Sequence, residues 1–309
     1  MKVAYNVNDL KIGASVATIG NFDGVHLGHR EIISRVLDAK GRVPGSSSLL
    51  ITFNPHPADL LYPSRNLSLL TDMDKKLEIL EGLGLDAVLI IEFTLAFAKQ
   101  DPRDFVSDVL LPLNVRELFI GHDFAFGKGR SGNVDFLVRE GKRFGFAVHE
   151  VEQITMDGER IGSSRVRELI EKGDVEQAAK LLGRSHSLRG EVVKGAGRGK
   201  PLGFPTCNIH KPEETTPSPG VYATRTIVKG VEYDSATHVG RVPTFDQEEF
   251  SLETHIFGFD GDARGERIEV MFIKKLRDTA KYSSVEELVR QIKIDCDAAK
   301  DALAKYGRR

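Results

Sequence analysis

The sequence predicts two joined domains: an α/β domain built on a mostly parallel sheet, followed by an antiparallel β-barrel closed by a C-terminal helix. Three observations lead there. A chain of 309 residues exceeds what one hydrophobic core usually organises, so about two domains are expected. From Ser15 to about Leu182, short β-branched runs alternate with amphipathic helical stretches, the pattern of βα units. Beyond that point strands follow one another across Gly, Pro and Asp turns without helices between them, which points to antiparallel pairing in a small barrel.

In the first domain, residues 1–183, the expected strands are Val16 to Ile19, Leu49 to Phe53, Ala87 to Ile91, Glu117 to Ile120 and Ala147 to Val151. Lys75 to Leu83 carries a helical pattern, and Asp101 with Pro102 read as an N-cap and first helical residue. Gly127 to Asn133 is glycine-rich and basic, and is expected to be a loop. Two helical segments, Ser164 to Lys172 and Val175 to Leu182, close the domain, with Gly183 as their stop. In the second domain, residues 184–309, the expected strands are Leu188 to Val193, Tyr222 to Val228, Leu252 to Phe257 and Ile268 to Ile273. A terminal helix from Ser284 to about Ala304 follows, because Val285, Leu288, Val289 and Ile292 recur at helical spacing behind a serine cap.

With 40% hydrophobic and 28% charged residues, the composition is that of a soluble globular protein. No apolar run approaches the roughly 20 residues that span a bilayer, and Asn and Asp interrupt the region where a signal peptide would be apolar, so a cytoplasmic protein is expected. A net charge of -2 gives no basic footprint. Neither nucleic acid nor membrane is therefore expected as a partner, and local basic clusters read first as small-anion sites. Cys207 and Cys296 lack metal-ligand spacing and are expected as reduced thiols.

The strongest chemical signal follows the first strand, where Gly20-Asn21-Phe22-Asp23-Gly24-Val25-His26-Leu27-Gly28-His29 runs into a helical pattern. Two imidazoles three residues apart at a helix start sit where backbone N–H groups and the helix dipole favour anions. The glycine between them allows a nucleotide to approach closely. Such a site can stabilise charge on a phosphate under attack. One histidine alone would as readily be a packing cap; the whole string resembles the nucleotidyltransferase superfamily. That resemblance implies His26 and His29 as catalytic groups and Gly20, Phe22, Asp23 and Gly28 as nucleotide-binding positions. Ile161-Gly162-Ser163-Ser164-Arg165-Val166-Arg167 resembles a second superfamily signature, implying that Ser163, Ser164 and Arg167 hold the triphosphate. Gly162 stands where that signature has its first serine.

Two further strings, Thr52-Phe53-Asn54-Pro55-His56-Pro57 and Gly121-His122-Asp123-Phe124-Ala125-Phe126-Gly127, follow the second and fourth expected strands, at the ends where open α/β sheets bind ligands. They resemble the adenylyltransferase module of the bacterial bifunctional riboflavin kinase/FMN adenylyltransferase (FAD synthetase) family. The resemblance implies that Asn54, His56, Asp123 and Phe124 lie near the nucleotide or flavin, and an isoalloxazine ring needs flat apolar walls.

In the second domain, Gly190 to Asn208 reads GEVVKGAGRGKPLGFPTCN. Its glycine–lysine spacing is wrong for a Walker loop, and Pro201 stands where that loop has Ser or Thr. Thr206 and Asn208 would share one face of an extended segment, offering two oxygens to a hard cation. The string resembles the riboflavin kinase signature. By that resemblance Gly195, Gly197 and Gly199 form the ATP phosphate loop, Thr206 and Asn208 hold Mg2+ with ATP, and Glu253 in Ser251-Leu252-Glu253-Thr254 is the catalytic carboxylate. The chain departs from the family at His238, where asparagine is common, at Val242, and at Ala263-Arg264, where Leu-Tyr is frequent. Together the two modules imply phosphorylation of riboflavin to FMN and adenylyl transfer from ATP to FMN, giving FAD and pyrophosphate. Two rivals stand beside this: a nucleotidyltransferase for another phosphate acceptor with a degenerate barrel, and a flavin-binding regulator.

Overall fold

The computed structural model describes residues 1–195, 199–210, 212–243 and 248–307. Two compact units divide it, one of Met1–Ser68 with Asp72–Gly162, the other of Leu69–Thr71 with Ser163–Arg309.

In the first unit, β1 (Lys2–Ala4), β2 (Ser15–Ile19), β3 (Ser47–Asn54), β4 (Ala87–Glu92), β5 (Val115–Gly121) and β6 (Ala147–Val151) form one sheet in the order β1-β4-β3-β2-β5-β6. All its pairings are parallel. Between the strands run α1 (Leu27–Lys40), α2 (Pro57–Leu61), α3 (Met73–Gly82), α4 (Leu95–Ala98), α5 (Pro102–Phe105) and α6 (Val134–Phe144). Strand alternation feeds two cores. Ala17, Ile19, Leu49, Ile51, Leu89 and Leu118 pack with Phe105, Val109 and Leu137 on one face. On the other, Val16, Leu50, Val88 and Phe119 pack with Ile33 and Val36 of α1 and Leu80 of α3. Helices on both faces explain why these strands are apolar throughout.

From β2 the chain steps to β3 and β4 on one side, then crosses back to β5 and β6 on the other. That reversal falls between β2 and β5, and sheets of this kind bind ligands beyond the carboxyl ends of the strands at such a point. Asp101 caps α5 by accepting from the Arg103 N–H at 2.9 Å, with Pro102 at the first helical position as expected.

Several elements correct the sequence expectations. The segment expected as a loop to Asn133 contains a 3-10 turn, Lys128–Arg130, and Asn133 caps α6 by accepting from the Phe136 N–H at 2.9 Å. Such a cap stabilises a helix by about 1 kcal/mol. β1 is an edge strand too short to show periodicity. β7 (Thr155–Met156) and β8 (Glu159–Arg160) form a hairpin whose turn residues Asp157 and Gly158 both have positive φ, the geometry that matches strand twist.

The second unit begins with α7 (Ser163–Lys172) and α8 (Val175–Leu182), which ends at Gly183 with φ 67°. Val166, Leu169, Ile170, Ala178 and Leu182 pack together with Leu70. The barrel closes in the order β10-β13-β12-β11-β14-β9. Its strands are β9 (His186–Val193), β10 (Cys207–Ile209), β11 (Gly220–Val228), β12 (Val231–Pro243), β13 (Glu248–Ile256) and β14 (Arg267–Arg277). Every pairing is antiparallel. Leu188, Tyr222, Val239, Leu252, Val270 and Phe272 fill the interior. Outside, α9 (Val285–Lys305) lays Ala299, Ala302 and Leu303 on Ala223, Ala236 and Ile273, the four alanines letting the helix approach closely. β10 and β12 had no expected strand.

Candidate functional site

The first site grows from the carboxyl end of β2. Gly20 ends the strand, its N–H donating to the Ile51 carbonyl at 3.1 Å, and the chain then makes a tight turn into α1. Phe22 (φ 48°) and Val25 (φ 41°) both occupy the left-handed region, which for a β-branched residue is a genuine outlier. Strain of this kind, about 1–3 kcal/mol per residue, persists only where the surroundings hold it. Val25 O is held by Arg30 Nε at 3.4 Å, and Asn21 O accepts from Thr52 Oγ1 at 3.2 Å and Lys76 Nζ at 2.9 Å. Phe22 is 2% exposed and packs in the core, so it offers a ligand its backbone rather than its ring.

His26 is the N-cap of α1, and its Nδ1 accepts from the His29 backbone N–H at 3.3 Å. A ring nitrogen that accepts cannot carry the proton, so the neutral imidazole carries its hydrogen on Nε2. Capping and chemistry are therefore one arrangement: the cap fixes the tautomer that leaves a donor. The His29 ring stacks on His26 with centroids 3.6 Å apart, and Phe22 stands 5.0 Å from it. A Cβ at Gly28 would come within 3.2 Å of the His26 ring, tighter than an ordinary contact, so glycine leaves that ring in its place. Burial first, then the neighbouring His26 and Lys76, hold His29 well below the usual histidine range. Its Nδ1 is sealed from solvent with no hydrogen-bond partner among the described residues. At neutral pH His29 is thus uncharged, so the two rings are not a cation pair.

The neighbouring strand ends carry the other predicted residues. Asn54 ends β3, where its carbonyl accepts from the Phe93 N–H at 2.9 Å, and a cis peptide joins it to Pro55. His56 repeats the device of His26: as N-cap of α2 its Nδ1 accepts from the Ala58 N–H at 3.2 Å. Asp123 lies exposed just beyond β5, and Phe124 stacks on Phe126 with centroids 5.5 Å apart. Gly20, Asn54 and Asp123 thus stand at the ends of β2, β3 and β5, at the switch in strand order. Ser163, Ser164 and Arg167 form the first turns of α7 in the second unit, Ser163 and Arg167 half-buried and Ser164 exposed. A Cβ at Gly162 would meet nothing within 4 Å, so its departure from the signature removes a hydroxyl without a steric reason.

The second site lies on the outer face of the barrel. A Cβ at Gly195 would collide with the Asn208 amide, and one at Gly199 with the Phe204 carbonyl, 3.6 Å from Thr206 Oγ1. The glycines are therefore a cradle pressed against the oxygen-bearing side chains, a set suited to a hard cation with a triphosphate. Gly197 lies outside the described residues. Asn208 pairs with Glu253, and Glu253 pairs with His238, so the three share one row on one face across β10, β13 and β12. The half-buried Glu253 accepts from Ser251 Oγ at 3.2 Å. The row continues through Val221 to Arg277, which pairs with Asp295 of α9 at 2.8 and 2.5 Å. His238 fills the space left by Gly240, where a Cβ would come within 2.5 Å of its ring.

Lys76 and Thr52 escaped sequence reasoning. The signal for Lys76 was present: it stands one turn before Leu80 on the buried side of α3, where spacing calls for an apolar residue.

A parallel sheet with His-x-Gly-His at its switch point and a closed barrel with a glycine cradle define a nucleotidyltransferase-like module joined to a riboflavin-kinase barrel. Family models agree in position: FAD synthetase matches residues 10–165 and riboflavin kinase matches 182–303. The chain belongs to the bifunctional riboflavin kinase/FMN adenylyltransferase family. Relatives of that name include one from Haemophilus influenzae, 34% identical with 96% of each chain covered. That from Bacillus subtilis is 32% identical over 91% of this chain and 90% of its own, and that from Escherichia coli K12 is 33% identical over 94% and 93%. A crystal structure from Streptococcus pneumoniae, described as a macrolide-efflux protein, is 28% identical with a TM-score of 0.88, covering 96% of this chain and 98% of that one. Among the described residues no helix is long and apolar enough to cross a membrane.

Proposed function

We propose that this chain phosphorylates riboflavin to FMN and then transfers AMP from ATP to FMN, releasing ADP and pyrophosphate in turn. Residues 1–183 are assigned to adenylyl transfer and residues 184–309 to the kinase, in the cytoplasm. The observation that carries the reading is the pair of sites: a tautomer-fixed His26 stacked on a neutral His29 at a helix start in one, and a glycine cradle beside the row that holds Glu253 in the other.

In adenylyl transfer an FMN phosphate oxygen attacks the ATP α-phosphorus and pyrophosphate leaves, with no covalent protein intermediate. His26 presents Nε2–H to the phosphate, and His29, kept neutral by its surroundings, stabilises the charge that grows during attack. The α1 N-terminus adds its dipole. Ser163, Ser164 and Arg167 hold the triphosphate through hydroxyls and a guanidinium fork. Asn54, His56, Asp123 and Phe124 serve the flavin and adenine.

In the kinase, Glu253 accepts the proton of the riboflavin hydroxyl as its oxygen attacks the γ-phosphorus of ATP. Ser251 orients that carboxylate. Gly195, Gly197 and Gly199 give the phosphates a close backbone approach. Thr206 and Asn208 would hold Mg2+, which neutralises phosphate charge when bound.

Two half-reactions test this on one preparation with magnesium. Supplied FMN and ATP should give FAD and pyrophosphate, and riboflavin and ATP should give FMN and ADP. Binding of flavin without turnover of either would instead favour the regulator, and inert flavin with another phosphate acceptor consumed would favour the other transferase.

A further inference from the structure

Lysine is almost never buried unless paired, yet Lys76 is 5% exposed. Its Nζ donates to the Asn21 carbonyl at 2.9 Å, and Thr52 Oγ1, fully buried, donates to the same oxygen at 3.2 Å. Both lone pairs of one carbonyl are therefore held from beneath, by α3 and by β3. Asn21 opens the turn in which Phe22 and Val25 adopt positive φ, and that turn delivers Asp23, His26 and His29. A strained turn needs such fixing, and a backbone that relaxed by about 1 Å would move the histidines out of line with a phosphate.

We propose that Lys76 is a positioning residue of adenylyl transfer: its buried ammonium clamps the Asn21 carbonyl and so fixes the turn that carries Asp23, His26 and His29. The proposal rests on the assignment of that reaction to this site. Charge supports the geometry. Burial disfavours the ammonium while the Asp23 carboxylate favours it, and the ammonium in turn opposes protonation of His29, as does His26. Asp23 from the turn and His26 from the start of α1 thus face the Lys76 ammonium and the His29 ring.

The test compares the full chain with Lys76→Met and Lys76→Arg, using riboflavin phosphorylation on the same preparations to control for folding. For Lys76→Met, kcat of FAD formation from FMN should fall about 10- to 100-fold with KM values changed less than about threefold. Amide exchange across Phe22 to His29 should quicken. The acid limb of the FAD-formation profile should move to higher pH, because His29 then accepts a proton more readily, and Lys76→Arg should recover part of the loss. Turnover within twofold of wild type with unchanged exchange would overturn the proposal. So would lost turnover with neither the exchange nor the acid limb altered. If Lys76→Met fails to fold, Thr52→Val, which removes the other donor and keeps the charge, should quicken exchange at the turn and lower kcat severalfold; neither change would overturn the clamp. If the wild-type chain forms no FAD, the assigned reaction fails, and the exchange measurement still decides the clamp.

Discussion

At the scale of single residues, the first site joins a structural task to a chemical one. The His26 imidazole accepts from the backbone as a helix cap, and that acceptance determines which nitrogen keeps a hydrogen. His29 carries a measurable consequence. Its folded pKa lies below the ordinary value of 6.5, so on acidification the unfolded chain takes up the proton before the folded one does. Stability from this group is therefore fully present above about 6.5 and lost as pH falls through the folded value. Amide exchange of α1 should show a larger stability loss between pH 7.5 and 5.5 in the wild type than in His29→Gln. Equal losses would contradict the linkage. The histidines, the glycine between them and Glu253 were legible as strings of residues. The contact that Lys76 makes was not, because its partner is a backbone carbonyl 55 positions away, reached only when α3 folds over the turn.

At the scale of elements, legibility followed how each strand is buried. β2 through β5 are covered on both faces, so apolar runs mark them all: β2 and β4 were found nearly whole, β3 and β5 in their central parts. β12, 13 residues long, was missed because hydroxyl residues interrupt the middle of its inward face between Tyr233 and Val239. Ser235 and Thr237 point inward and are fully buried, and they join Thr224, Thr226 and Thr254 in a ladder of hydroxyl contacts of 2.7–2.9 Å. A buried hydroxyl needs a partner, and here each rung is the partner of the next. Thr237→Val removes the rung that joins Thr224 to Thr254, and it should destabilise the barrel by about 1–3 kcal/mol in chemical denaturation. A loss below a few tenths of a kcal/mol would show that the ladder adds little. The N-terminus of α7 offers the opposite experiment. Because the space beside Gly162 is open, Gly162→Ser should be tolerated and should lower KM for ATP in FAD formation about 3- to 10-fold, the effect of one added hydrogen bond. An unchanged KM would mean that this position does not meet the nucleotide.

At the scale of the whole molecule, the order of the modules was legible from the change in pattern near residue 183, whereas the division into compact units follows packing that sequence does not display. α7 and α8 associate with Leu70 and, through Val175, with the barrel core, so contacts far along the chain determine where they belong. Two sites in one chain make a sequential prediction: each half-reaction can be disabled while the other runs. Glu253→Gln should lower riboflavin phosphorylation and leave conversion of supplied FMN to FAD intact, since global damage would depress both together. The most direct test runs the sequence from its start with His29→Ala, by chromatography of flavins after incubation with riboflavin, ATP and magnesium. FMN should form at the wild-type rate and accumulate, while FAD formation falls by about 10² or more, the typical effect of removing one transition-state donor. FAD appearing at the wild-type rate, or FMN failing to form in a folded protein, would contradict the account.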